Sequence, residues 1–208
     1  MQIHRLYPGS FGANCYLLVS QDGQAAIVDP SPDADTLCDA LRTEHATLRR
    51  ILLTHGHFDH ILSLDTLRDR THIPAGIHER DRDLPSDARK NAFEAFFRQR
   101  RVWRTPEETF SDGDRLVIGS ETVTVLHTPG HTAGSVCFLL NDGRDLLTGD
   151  TLFAETYGRT DLYSGNSADL CASLGRMATL PPEITIYPGH GESARLGDAL
   201  AAIGITDE

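Results

Sequence analysis

The sequence predicts a layered α/β sandwich, two β-sheets with helices packed outside them. Three observations carry the prediction. Strand-length apolar runs recur along the chain, helical i, i+3, i+4 patterns interrupt them, and no fixed-period repeat or low-complexity linker is present. At 208 residues the chain suits one domain spanning residues 1–208, with a basic and aromatic helical segment at about 80–108.

The elements follow in order. Asn14–Val19 is β-rich, and Gln21-Asp22-Gly23 supplies a turn. Ala25–Val28 is a continuous apolar strand ending at Asp29-Pro30. From Asp33 the spacing predicts a helix, because Ala34, Leu37, Cys38 and Leu41 fall at i, i+3, i+4 and i+7. Ile51–Leu53 is a buried strand, Ile61, Leu64 and Leu67 repeat at helical spacing, and a short strand lies near Ile73–Ile77. Strand patterns resume at Arg115–Ile118, Thr122–Leu126, Ser135–Leu140 and Asp145–Thr148, with Asp112-Gly113 and Asn141-Asp142-Gly143 as turns. A helix carrying Leu170, Leu174 and Met177 precedes a last strand, Ile184–Tyr187. The order of the strands is not contained in the pattern.

Bulk properties exclude several functions. A formal net charge of −11 disfavours general nucleic-acid binding, which needs a cationic surface. No run approaches the ~18 apolar residues of a membrane span, and the start, from Met1, has no long apolar core of a signal peptide. Cys15, Cys38, Cys137 and Cys171 are far apart and form no C-x-x-C pair, so they predict small buried residues in a reducing, cytoplasmic setting.

The chemistry concentrates in Thr54-His55-Gly56-His57-Phe58-Asp59-His60. Three imidazoles and a carboxylate fall within six residues directly after a buried strand. Gly56 would let the backbone turn so that neighbouring side chains converge. Imidazole nitrogen and carboxylate oxygen are the usual ligands of zinc-, iron- or manganese-type ions. An isolated H-x-H is more simply a solvated loop; four such groups at a core strand end would cost desolvation for nothing without a metal. His131, Asp150 and His190 each lie just past another strand, so four polar loops could meet at one sheet edge.

In that order, His55-x-His57-x-Asp59-His60, His131, Asp150 and His190 resemble the ligand set of the metallo-β-lactamase-fold hydrolases. Asn14-Cys15-Tyr16-Leu17, Thr128-Pro129-Gly130-His131-Thr132-x-Gly134-Ser135, Gly149-Asp150-Thr151-Leu152-Phe153 and Gly158-Arg159-Thr160-Asp161 look most like the glyoxalase II branch. The resemblance implies a four-layer αββα sandwich with two divalent ions, expected to be zinc, with iron or manganese as alternatives. It places His55, His57 and His131 on one ion, Asp59, His60 and His190 on the second, and Asp150 between them.

It also implies hydrolysis of a thioester such as S-lactoylglutathione by a metal-held hydroxide, with Asp59 and Asp150 as catalytic carboxylates. Asp29, Thr54 and Thr132 are expected to steady ligand histidines, although a plain turn explains Asp29 before Pro30 as well. Arg159 is expected to contact an anionic acyl-thiol and Tyr157 to line the same pocket; an Arg159–Asp161 brace is the plain alternative.

The branch carries a C-terminal helical domain, whereas 18 residues follow His190 here, so a short form is expected. Residues 89–104 hold six basic residues against one acid, a net +5 that leaves −16 elsewhere. Phe93, Phe96 and Phe97 form one apolar stripe there. A packed helix or homodimer contact is the plain reading of this segment, and a cap over the site is the functional one. Two other functions remain in view. Persulfide dioxygenases, which look similar, would hold a single iron on His55, His131 and Asp150. A non-enzymatic metal module is the other, and the complete ligand set speaks against it.

Overall fold

The computed structural model describes residues 1–6 and 11–205. The first sheet is built from β1 (Gln2–Leu6), β2 (Cys15–Val19), β3 (Gln24–Val28), β4 (Thr47–Leu52), β5 (Ala75–His78) and β6 (Glu108–Phe110), in that spatial order. The second runs β12 (Ala194–Arg195), β11 (Thr185–Pro188), β10 (Asp145–Gly149), β9 (Val136–Leu140), β8 (Glu121–His127), β7 (Arg115–Ile118). Helices α1 (Ala34–Thr43) and α2 (Leu64–Thr71) belong to the first half, α4 (Ser167–Met177) and α5 (Leu196–Ala202) to the second.

The side chains sort into three apolar layers. Tyr16, Leu18, Ala26, Val28 and Leu52 meet Val123, Val125, Phe138 and Leu147 between the sheets. Leu17, Ile27 and Ile51 point the other way, onto Leu37 of α1 and Leu64 and Leu67 of α2. Cys137, Leu146 and Ile186 pack outward onto Leu170, Leu174 and Leu200. Central strands buried on both faces lose the apolar–polar alternation and become continuous apolar runs. The expected αββα layering follows.

Local chemistry explains the boundaries. Asp33 caps α1, its carboxylate accepting from the N–H groups of Asp35 and Thr36 at 3.0 Å each. Asn141, Asp142 and Gly143 take φ of 51°, 56° and 84°, the left-handed region that these residues tolerate best.

The structure departs from the sequence expectation in the middle of the chain. Only two short helical pieces occur within 79–108, a single turn at Glu79–Asp81 and α3 (Phe93–Phe97). Ala92 and Arg98 flank α3 with φ of 68° and 52°, so left-handed residues stop it at both ends. β1, β6, β12 and α5 were not anticipated. β1 mixes polar and apolar residues at the sheet edge, and β6 and β12 have three and two residues, too few to leave a period.

Direction of the strands decides where the chemistry can assemble. β3, β4 and β5 are mutually parallel. In the other sheet β10 is parallel to β11, and β8 and β10 are both antiparallel to β9. The C-terminal ends of each set therefore open at one edge. The Val136 N–H donates to the Thr54 carbonyl at 2.9 Å, joining the two edges there.

Candidate metal centre

Asp29 follows β3, residues 54–60 follow β4, His131 follows β8, Asp150 follows β10, and His190 follows β11. Two groups of side chains converge, each with ligand atoms within 4.8 Å of one another: His55 with His57 and His131, and Asp59 with His60 and His190. Asp150 stands between them. Its Oδ1 lies 3.3 Å from His60 Nε2, and its Oδ2 lies 3.5 Å from His131 Nε2 and 3.6 Å from His190 Nε2. Asp59 Oδ2 is 3.4 Å from His190 Nε2. All seven predicted ligands thus come together.

The imidazoles are held from behind. His60 Nδ1 lies 2.9 Å from Asp29 Oδ2, His131 Nδ1 lies 2.7 Å from the Arg159 carbonyl, and His190 Nδ1 lies 3.1 Å from the Gly12 carbonyl. His55 Nδ1 lies 3.1 Å from Thr54 Oγ1, whose hydroxyl is spent donating to Asp29 at 2.6 Å. Each of these partners can only accept, so each Nδ1 donates to it and each Nε2 is the atom turned toward the centre. His57 is the exception. Its Nδ1 sits 2.9 Å from His131 Nε2, so that Nδ1 is its ligand atom.

Asp29 also lies within ligand reach of His55 and His60, but its oxygens are already committed. They accept from the Thr54 N–H at 2.8 Å, the Thr54 hydroxyl and His60. Asp29 is therefore a supporting carboxylate. It holds φ at 53°, a left-handed conformation costly for a non-glycine and typical of over-determined sites.

Burial tunes the charges. It drives the His55 imidazole well below its ordinary range and His57 down to about 3, with neighbouring imidazoles adding to the effect. His60 is equally buried, yet Asp150 and Asp59 outweigh that burial and push its pKa well up. Asp150 is held well below the carboxylate range because His60 overcomes its desolvation. The Nε2 atoms of His55 and His60 and Oδ1 of Asp150, all on the side of the centre, are buried without a hydrogen-bond partner. Such groups are costly unless something else satisfies them. Nitrogen and carboxylate donors facing one another with spare lone pairs are the donor set of a zinc- or iron-type divalent ion, and the residues fit one.

Two sequence expectations are corrected. The Thr132 hydroxyl does not hydrogen-bond a ligand histidine; it donates to Asp81 at 2.6 Å. Tyr157 does not line the cleft above the centre: it bridges Leu152 through the backbone and its ring is half exposed. Gly56 is also required for space, because a Cβ there would meet Leu84 Cβ at 2.5 Å. Arg159 does reach the cleft, but its guanidinium forks onto Asp161 at 2.6 and 2.7 Å.

One residue of the site escaped the sequence reading. Asp81, fully buried, accepts from the Gly134 N–H at 2.7 Å, the Gly56 N–H at 3.3 Å and the Thr132 hydroxyl. It ties the His55–His60 loop to the His131 loop. Burial raises its pKa to about 6 against those bonds. An aspartate in a mixed polar run, Glu79-Arg80-Asp81-Arg82-Asp83, carries no mark that distinguishes it.

Two apposed sheets with buried imidazoles and carboxylates at one shared edge define a metal-binding αββα sandwich. A family model described as the metallo-beta-lactamase superfamily matches residues 8–190, and the chain belongs to that superfamily. A probable metallo-hydrolase of Bacillus subtilis is 36% identical, with 92% of this chain and 90% of that protein covered. The crystal structure of the BLEG-1 B3 metallo-beta-lactamase superposes with a TM-score of 0.90 at 34% identity, covering 96% of this chain and 97% of that one. That of TTHA1623 in a di-iron-bound form gives 0.82 at 31% identity, covering 99% and 98%. Among the described residues no helix is long and apolar enough to cross a membrane.

Proposed function

We propose that this chain is a dinuclear metallohydrolase that cleaves a thioester or a related ester, with zinc the expected metal. One observation carries the reading: two three-residue groups, His55/His57/His131 and Asp59/His60/His190, face each other across Asp150. Divalent ions held there would supply a water of lowered pKa and a Lewis acid for the carbonyl. The likeness to a protein crystallised with two irons supports a pair of ions.

The chain's own residues do the rest. Neutral imidazoles with two carboxylates leave the ligand set at −2, so two dications keep a net positive charge that favours hydroxide. Asp59 and Asp150, both facing His190 Nε2, are placed to orient the attacking water. Phe58, Phe96 and Phe153 wall the cleft and limit competing water.

Likeness to a B3 metallo-beta-lactamase supports a second reading, hydrolysis of a β-lactam amide. Metal analysis combined with parallel assays separates these. Two metals per chain and thioester hydrolysis without oxygen uptake support the proposal. Faster turnover of a β-lactam favours the second reading, and one iron per chain with oxygen consumed on glutathione persulfide overturns both. Asp150→Ala is expected to abolish activity and metal retention; full activity in that variant contradicts the site itself.

A further inference from the structure

The cleft over the centre has about 430 Å³ and a lopsided lining. Beyond the ligands, its wall is mostly Phe11, Phe58, Phe96, Phe97, Phe153 and Leu162, with Arg159 at one side. The first four form a connected aromatic cluster. Phe58 lies 5.2 Å from Phe11, 5.6 Å from Phe96 and 5.5 Å from Phe97 between ring centroids, and Phe11 lies 5.4 Å from Phe97. The cluster is only partly covered. Phe11, Phe96 and Phe97 are 44%, 53% and 38% exposed, an unusual concentration of large apolar rings at one place on a surface.

Among the described residues the lining offers few cations to an anionic conjugate. Arg159 is the one Arg or Lys in the lining among the described residues, its fork closed onto Asp161 and its guanidinium 5.8 Å over the Phe96 ring. Of the cations of the 89–104 segment, Lys90 lies over Tyr163 and Arg101 over Trp103, Arg98 and Arg100 are exposed after Phe97, and none of the four lines the cleft. The two carboxylates of the lining, Asp59 and Asp150, belong to the centre.

The wall begins at the centre itself, since Phe58 sits between His57 and Asp59 in the chain. A substrate whose carbonyl reaches the ligands must lay one arm along these rings. We infer that this arm is an uncharged, apolar acyl chain or ring, so that the enzyme prefers hydrophobic acyl thioesters or esters over glutathione conjugates. The inference rests on the hydrolase reading above and names the substrate class for it. It replaces the anionic acyl-thiol expected from the sequence.

The test uses the full chain loaded with zinc and a series of N-acetylcysteamine thioesters from acetyl to octanoyl, with S-lactoylglutathione alongside. Each methylene buried against the rings should raise kcat/KM about threefold to fourfold. The Phe96→Ala/Phe97→Ala double variant should flatten that slope while retaining metal content and circular dichroism. Calorimetric binding of acetate, butanoate and octanoate to the loaded protein reads the same cleft without turnover.

Binding that tightens with chain length but no thioester turnover sinks the thioester reading and leaves the cleft assignment standing. Turnover with a flat or falling profile, or with S-lactoylglutathione preferred over octanoyl, overturns the inference. A flat profile in a protein whose dimerisation is lost in the double variant gives the aromatic wall to a second copy of the chain, and overturns it equally.

Discussion

Asp81 offers a perturbation whose magnitude can be worked from its surroundings. Its carboxylate is buried, and its pKa rises from an ordinary 3.8 to about 6. At ~1.4 kcal/mol per pH unit, that rise is worth roughly 3 kcal/mol between the protonated and ionised forms. The sign follows from linkage. A carboxyl whose folded pKa is raised leaves stability intact below the unfolded value near 4 and removes it as pH climbs through 6. About 2 kcal/mol of the total falls between roughly pH 4.5 and pH 7.5.

Asp81→Asn cannot ionise, so it lacks this slope. It also sets an amide NH₂ against at least one of the donors at Gly134, Gly56 and Thr132, a mismatch worth ~1–3 kcal/mol at every pH. The variant should therefore be the less stable protein at pH 4.5. Its deficit should shrink by about 2 kcal/mol by pH 7.5, nearly cancelling the mismatch. Urea unfolding of chelator-treated wild type and variant across that range measures the difference directly. A stability difference that stays constant with pH would refute the raised pKa, and a variant as stable as the wild type at pH 4.5 would refute the account of Asp81 as a buried clasp between the two loops.

Three further outcomes follow from the same geometry. Asp29→Ala leaves Thr54 and His60 without their shared acceptor and should weaken metal affinity about 10–100-fold, read by competition with a chromophoric chelator; unchanged affinity would make Asp29 an ordinary turn residue. Gly189→Ala places a Cβ 2.2 Å from Asp150 Oδ1 and 2.7 Å from His60 Cε1. It should cost most of the bound metal while the fold, judged by circular dichroism, survives, and a fully metallated variant would refute that packing. Arg159→Ala should lower kcat/KM by the same factor on neutral and anionic substrates, because the guanidinium braces Asp161 and its own carbonyl holds His131; a selective rise in KM for anions would restore the substrate-contact role.

The ligand types and their loops were readable from the chain because both chemistry and periodicity are local. Each of Leu53, Thr148 and Tyr187 closes an apolar run, and a histidine or aspartate stands within three residues of it. A strand buried on both faces has to end where polar side chains begin, and those ends mark the site. The layered architecture was legible for the same reason. The 89–104 segment was not: its Phe93/Phe96/Phe97 spacing predicts a helix, yet the left-handed residues Ala92 and Arg98 confine it to five residues.

What the sequence marked by itself is a candidate donor set, since His55, His57, Asp59, His60, His131, Asp150 and His190 stand out by type and by position after strands. What only the tertiary structure decided is everything set by distances across the chain. Parallel β3, β4 and β5 and the β8–β9–β10–β11 array bring four loops to one edge. Asp29 becomes a support because Thr54 and His60 consume its oxygens, Arg159 is closed by Asp161, and Asp81 binds two loops more than fifty residues apart. Hydrogen-bond capacity is finite and short-ranged, so a residue's role depends on which partners have already taken its atoms, and no linear pattern records that.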